Sequence, residues 1–89
     1  MRVEHRHVTV DVFAHEDWTT ARAALTADAR TRQGVGDARR KRTDFEVPEI
    51  GDELAVGRAL IDLGLQLIRD AAHEIGAIEG REVSLGELR

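Results

Sequence analysis

The sequence predicts a small α+β domain, with strands in the first half and one long helix in the second. Two patterns carry that expectation. Residues 7–14 alternate with a period of two, and residues 54–77 repeat apolar side chains at helical spacing. With 89 residues, the chain has room for one domain and a marginal core.

In the first strand Val8, Val10, Val12 and Ala14 point one way, and His7, Thr9, Asp11 and Phe13 point the other. β-Branched residues in that alternation predict a strand with one buried face. His15-Glu16-Asp17 is polar and predicts a turn. Residues 18–33 carry two patterns at once. Their alanines, with Asp17 as N-cap and Gly34 as C-cap, fit a helix. The alternation of Ala21, Ala23, Leu25 and Ala27 against Thr20, Arg22, Ala24 and Thr26 fits a strand equally well. A helix here would offer a core only Trp18 and Leu25, and most helices are held by the apolar face they bury. Gly34-Val35-Gly36 and the basic residues that follow fit a further strand, weakened or bulged by its glycines. Residues 40–47 read as an exposed connection.

Val47-Pro48-Glu49-Ile50-Gly51-Asp52-Glu53 marks a helix start. Pro48 disfavours helix at Val47. Gly51 or Asp52 suits the N-cap, and the acidic groups suit the positive end of the helix dipole. The helix is expected to run to about Ala77, with Gly76 and Gly80 bracketing its end. Leu54, Ile61, Leu65, Ile68, Ala72 and Ile75 fall on one side. Val56, Leu60, Leu63 and Leu67 fall well around from them, and Arg58, Asp62, Gln66, Arg69, Asp70 and His73 fill the remaining arc. The apolar arc is roughly 200° wide, twice what covering one surface requires. A sheet can cover one part of it. The simplest cover for the rest is a second copy of the chain, so a homodimer is expected. Leu54, Val56, Leu60, Ile61, Leu63, Leu67 and Ile68 would form the core and the dimer contact. Gly57 and Gly64, seven residues apart, would allow close backbone approach.

The net charge of −4 is unevenly spread. Residues 1–29 sum to −2, residues 30–42 to +5 and residues 43–89 to −7. Arg30, Arg32, Arg39, Arg40, Lys41 and Arg42 form the basic block, a candidate phosphate contact. The same block also reads as a solvated hairpin that balances an acidic helix. Aromatic residues are limited to Phe13, Trp18 and Phe45, so RNA would be held mainly through its backbone.

Other chemistries find little support. The chain has no cysteine, which excludes disulfides, thiolate zinc sites and a Cys nucleophile. Ser84 is the only serine and has no oxyanion-loop signature around it. His5 and His7 share a strand face and could join a metal site, but two exposed histidines near a terminus need no metal. His73-Glu74 lacks the second histidine of a zinc-protease helix. Gly34-Val35-Gly36 lacks the rest of either phosphate-loop fingerprint. Neither an enzyme nor a cofactor is expected, and no small-molecule substrate is evident. The apolar runs are too short to span a membrane and no secretory leader is evident, so a cytoplasmic location is expected.

The stretch from Val47 to Val56, with Arg58-Ala59-Leu60 and Asp62-Leu63, resembles a family of small actinobacterial proteins of unknown function. Val10-Asp11, Thr19, Ala21 through Leu25, Gly34-Val35-Gly36 and Ala38-Arg39 add to the match, which covers roughly residues 7–80. The resemblance implies a double-stranded-RNA-binding-domain-like fold: a three-stranded antiparallel meander, then one long helix packed on one face, as a dimer. It therefore favours strand at 18–28. With Gly76 and Gly80 bracketing the helix end, the chain reads as one domain over residues 1–80 and a tail at 81–89. Some mycobacterial members are dormancy-induced, and the shape is similar to ribosome hibernation factors. The implied function is a non-enzymatic, stress-linked protein that binds RNA or the ribosome. The alternative is a protein-interaction dimer with no nucleic-acid role. Asp37, Arg40 and Ala27 stand where the family pattern has large apolar residues, which predicts a weaker third strand or a more basic face.

Overall fold

The computed structural model describes residues 1–39 and 48–79, with side chains over 1–39 and 50–76. Three strands precede one helix: β1 Val8–Ala14, β2 Trp18–Ala27, β3 Arg30–Arg39 and α1 Pro48–Glu79. The sheet is an antiparallel meander in the order β1-β2-β3. Residues 18–28 thus resolve as strand followed by turn. Helix propensity loses there because the alternating alanines have a sheet to belong to.

Two tight turns join the strands. The His15 amide donates to the Trp18 carbonyl at 2.8 Å and closes the first. Asp28 and Ala29 close the second, both with positive φ, 54° and 61°. Those angles suit the mirror-image turn whose twist matches paired strands, and asparagine or glycine is its usual occupant.

The helix crosses β2 and β3 and only grazes β1. Its buried track is Ala55, Ala59 and Leu63, set against Ala21, Ala23, Leu25 and Ala38. Val10, Val56 and Leu67 flank that cluster. Among the described residues no large side chain is fully buried, and the core is built mainly from small residues at short range. Gly34 and Gly36 explain how. A Cβ at Gly36 would lie closer than 3.0 Å to the Ala55 carbonyl oxygen and the Ala59 nitrogen. One at Gly34 would meet Ala59 and Leu63 backbone in the same way. The pairing of β3 with β2 is continuous through both positions. These glycines therefore mark neither a bulge nor a weak strand; they let the helix backbone rest on the sheet.

The structure corrects two further expectations. The valine face of β1 is not buried: Val8 and Val12 stay exposed and Val10 is half-buried, because the helix lies beyond them. The helix also begins at Pro48, three residues before the expected cap. Proline is well suited to a first helical position, where its missing amide is no loss. Asp52 is consequently inside the helix, where it accepts from the buried Thr19 hydroxyl at 3.2 Å and ties α1 to the start of β2. Gly76 lies inside the helix as well. The expected connection at 40–47 and tail at 81–89 lie outside the described residues.

Candidate interaction surfaces

Three surfaces follow from this packing. The first is the far side of α1. Leu54, Ile61 and Ile68 repeat every seven residues and are exposed, together with Ile50 and Leu65. Ile61 is 63% exposed. Gly57 and Gly64 lie among them with nothing within 4 Å of a built Cβ. Of the residues expected to share core and dimer contact, Val56, Leu63 and Leu67 turn toward the sheet. Leu54, Leu60, Ile61 and Ile68 remain uncovered. Ala72, on the side of Leu54 and Ile61, is buried.

The second surface is the β3 edge, where the polar arc of the helix does structural work. The Arg58 guanidinium donates to the Asp37 carbonyl at 2.6 Å. The Val35 amide donates to the Asp62 carboxylate at 2.9 Å. The Gln66 amide donates to the Gln33 carbonyl at 2.6 Å and to Asp62 at 3.2 Å. Arg32 and Asp70 pair beside them, with the Arg32 side chain largely buried. Positions 58, 62, 66 and 70 form one helical row at four-residue spacing, and it closes an edge that would otherwise invite another strand. Sequence reasoning placed this row in the polar arc of the helix and gave it no partner. Its spacing was visible, but the edge it would meet was not.

The basic block divides here. Arg32 is committed to Asp70, and Arg30 lies 3.6 Å from Glu74 with both side chains mostly exposed. Arg39 is exposed at the end of β3. Arg40, Lys41 and Arg42 lie outside the described residues. Two of the six cations thus balance helix acids, as the solvated-hairpin reading expects.

The third surface is the sheet face away from the helix. Phe13 and Trp18 project there and are 45% and 43% exposed. Trp18 stacks on His15, with ring centroids 4.1 Å apart and planes within 16°. The Arg22 guanidinium carbon lies 5.7 Å from the Phe13 ring centroid. Register places Arg39 opposite Trp18, Thr20 opposite Phe13, and Asp37 opposite Thr20. The Thr20 hydroxyl donates to Asp37 at 2.7 Å. Sequence reasoning did not group these residues. The strand alternation together with the turn at 15–17 was the signal that could have.

His5 and His7 line an open cleft with Glu4, Arg6, Thr9, Thr26 and Asp28. Among the described residues, no three metal-ligating side chains converge, so the two histidines lack the partners a site needs. Among the described residues, no helix is long and apolar enough to cross a membrane.

This architecture has known counterparts. A family model described as Rv2632c-like matches residues 4–84. The chain belongs to the Rv2632c-like family. The uncharacterised protein MT1780 of Mycobacterium tuberculosis (strain CDC 1551 / Oshkosh) is 42% identical over 76 residues, 85% of this chain and 81% of that protein. The uncharacterised protein Rv2632c of Mycobacterium tuberculosis (strain ATCC 25618 / H37Rv) is 41% identical over 70 residues, 79% of this chain and 75% of that one. The crystal structure of Rv2632c superposes with a TM-score of 0.81 at 38% identity, covering 86% of this chain and 92% of that one. The three-stranded sheet and single helix are thus the architecture of this Rv2632c-like chain.

Proposed function

We propose that this Rv2632c-like protein is a non-enzymatic homodimer that works by binding, and that its copies meet along the far side of α1. One observation carries the reading. The helix buries Ala55, Ala59, Leu63 and Ala72 but exposes Ile50, Leu54, Leu60, Ile61, Leu65 and Ile68, more large apolar side chains than a self-sufficient domain leaves uncovered on one helix. Burying one such side chain against a partner contributes about 1.5–3 kcal/mol. A seven-residue repeat of Leu54, Ile61 and Ile68 suits a second helix carrying the same repeat, because a twofold contact needs a self-complementary patch. Sedimentation equilibrium tests it. The chain should sediment at twice its mass, and Ile61→Asp with Ile68→Asp should leave a folded monomer. A wild-type monomer at high concentration would overturn the dimer. A variant that stays dimeric would overturn this interface.

A second reading concerns the partner. Arg39 ends β3 opposite Trp18, and in the sequence Arg40, Lys41 and Arg42 follow it, a cationic run that favours an RNA target. A double-stranded-RNA-binding-domain-like classification, a ribosomal target and a role in stress or dormancy belong to this reading. Co-sedimentation with ribosomes at low and high salt tests it. Binding should fall steeply with salt, and fall again when residues 39–42 are changed to alanine. No binding at low salt would leave the dimer as a protein-interaction module.

A further inference from the structure

We infer that the free edge of β1 is a self-pairing surface, on which β1 of a second copy adds antiparallel and joins two sheets into one. The inference goes beyond the helix contact and does not depend on it.

The two edges of the sheet are unlike. On β3 the Gln33 and Asp37 carbonyls accept from Gln66 and Arg58, and the Val35 amide donates to Asp62. Helix side chains thus fill outward main-chain positions there. β1 is the opposite edge, which the helix only grazes. Antiparallel pairing alternates, so register fixes which of its groups point outward. Gln33, Val35 and Asp37 face out from β3, so Gly34, Gly36 and Ala38 bond inward to Ala23, Ala21 and Thr19. One strand further on, Thr9, Asp11 and Phe13 bond to β2, and the main-chain groups of Val8, Val10 and Val12 point out. The same three residues lie cross-strand from Leu25, Ala23 and Ala21, on the helix side of the sheet. Val8 and Val12 are exposed and Val10 is half-buried. One row therefore offers donors, acceptors and an uncovered apolar stripe.

That row is self-complementary. A twofold axis at Val10 sets Val10 against Val10 and Val8 against Val12, each pair exchanging main-chain hydrogen bonds in both directions. On the other face it sets Asp11 against Thr9, a carboxylate beside a hydroxyl. An axis at Asp11 would set two carboxylates face to face, which is unfavourable. An axis at Thr9 would set Arg6 against Val12. With the axis at Val10, the two valine stripes merge. Because the β3 edge is filled, pairing stops at two sheets and does not run on. The stripe is smaller than the helix ridge. One fewer buried apolar side chain is already about tenfold in affinity, so the edge joins copies at concentrations about tenfold or more above those at which the helix dimer forms.

Amide hydrogen exchange reads this edge residue by residue. At low concentration the Val8, Val10 and Val12 amides should exchange fast, while Thr9, Asp11 and Phe13 are protected. Raising the concentration should slow the valine amides about tenfold or more and leave the others unchanged. Val10→Cys gives the chain a single thiol. Cα atoms of a hydrogen-bonded pair lie about 5.5 Å apart, within reach of a disulfide. Mild oxidation at high concentration should link Val10→Cys about tenfold faster than Ala14→Cys, with or without Ile61→Asp and Ile68→Asp. Val12→Pro removes an outward amide and no bond to β2, so it should abolish the link and leave the urea midpoint unchanged. Val12→Lys, which keeps every amide and puts a charge in the stripe, should do the same. Valine amides slow at every concentration would mean that the chain covers its own edge. Valine amides fast at every concentration would mean that nothing covers it. Equal linking through Ala14→Cys would mean no fixed register. Each of these overturns the proposal and leaves the helix dimer standing, as does a link lost with Ile61→Asp and Ile68→Asp. A link that persists where wild type and the helix variant sediment alike would overturn the helix dimer alone.

Discussion

The two long sides of α1 obey opposite rules. The side against the sheet is made of Ala55, Ala59 and Leu63, with its backbone resting on Gly34 and Gly36. The side away from it carries Leu54, Ile61, Leu65 and Ile68, all exposed. Large apolar residues normally fill a core and small ones fill gaps. Here the closest contact is made by small residues, and Leu54, Ile61, Leu65 and Ile68 stay exposed. Under the proposed dimer, stability and association fall on different faces of one helix, and substitutions can separate them.

The largest effect is expected on the tight face. Gly36→Ala forces a methyl into the Ala55 carbonyl and the Ala59 nitrogen, both backbone atoms that cannot step aside. Overpacking of this kind costs about 1–3 kcal/mol and sometimes more; a core whose buried residues are alanines with only Leu25 and Leu63 has little in reserve. Urea unfolding should show the midpoint drop sharply or the transition disappear. Ile61→Asp with Ile68→Asp tests the other face. The dimer should dissociate, while the unfolding midpoint of the diluted, monomeric wild type is matched within about 0.5 kcal/mol, as for exposed sites generally. If the two variants exchanged phenotypes, the division of labour would be wrong.

This division was half visible in the sequence. The arc of Leu54, Ile61, Leu65 and Ile68 stood apart from Val56, Leu63 and Leu67, and the excess width pointed to two contacts. The alternation in β1 and β2 was visible too, though not which strand would be covered. What hid the rest was geometry between distant segments. Nothing in Gly34-Val35-Gly36 says that a helix backbone will lie on it until the Ala55–Ala59 spacing is placed above it. The same holds for Arg58, Asp62 and Gln66, whose polar character fits solvent until the β3 edge appears beside them. The turn at Asp28-Ala29 was hidden for a local reason, since neither residue is the glycine that such backbone angles favour. The basic block of Arg30, Arg32, Arg39, Arg40, Lys41 and Arg42 is legible by charge alone, and charge does not reveal that Arg30 and Arg32 have helix acids as partners.

The strip between the two faces sharpens the comparison further. Asp62 accepts from the Val35 amide and from Gln66, so Asp62→Ala strands an edge amide and loosens its neighbour. The expected cost is about 1–2 kcal/mol, because the group lies near water that can partly replace it. The same change reopens an edge, so the variant should self-associate more readily with time at high concentration, as light scattering would show. The smallest effect lies away from the helix altogether. Ala29 holds φ at 61° in the β2–β3 turn, a conformation that hinders a side chain and suits glycine. Ala29→Gly should raise stability by about 0.5–1 kcal/mol, the relief of strain exceeding the added freedom of the unfolded chain. Its melting temperature should rise equally with or without Ile61→Asp and Ile68→Asp. Ala29 lies in the β2–β3 turn and Ile61 and Ile68 lie on the exposed side of α1, so coupling between the two would mean that the dimer contact reaches the sheet and that the faces are not independent.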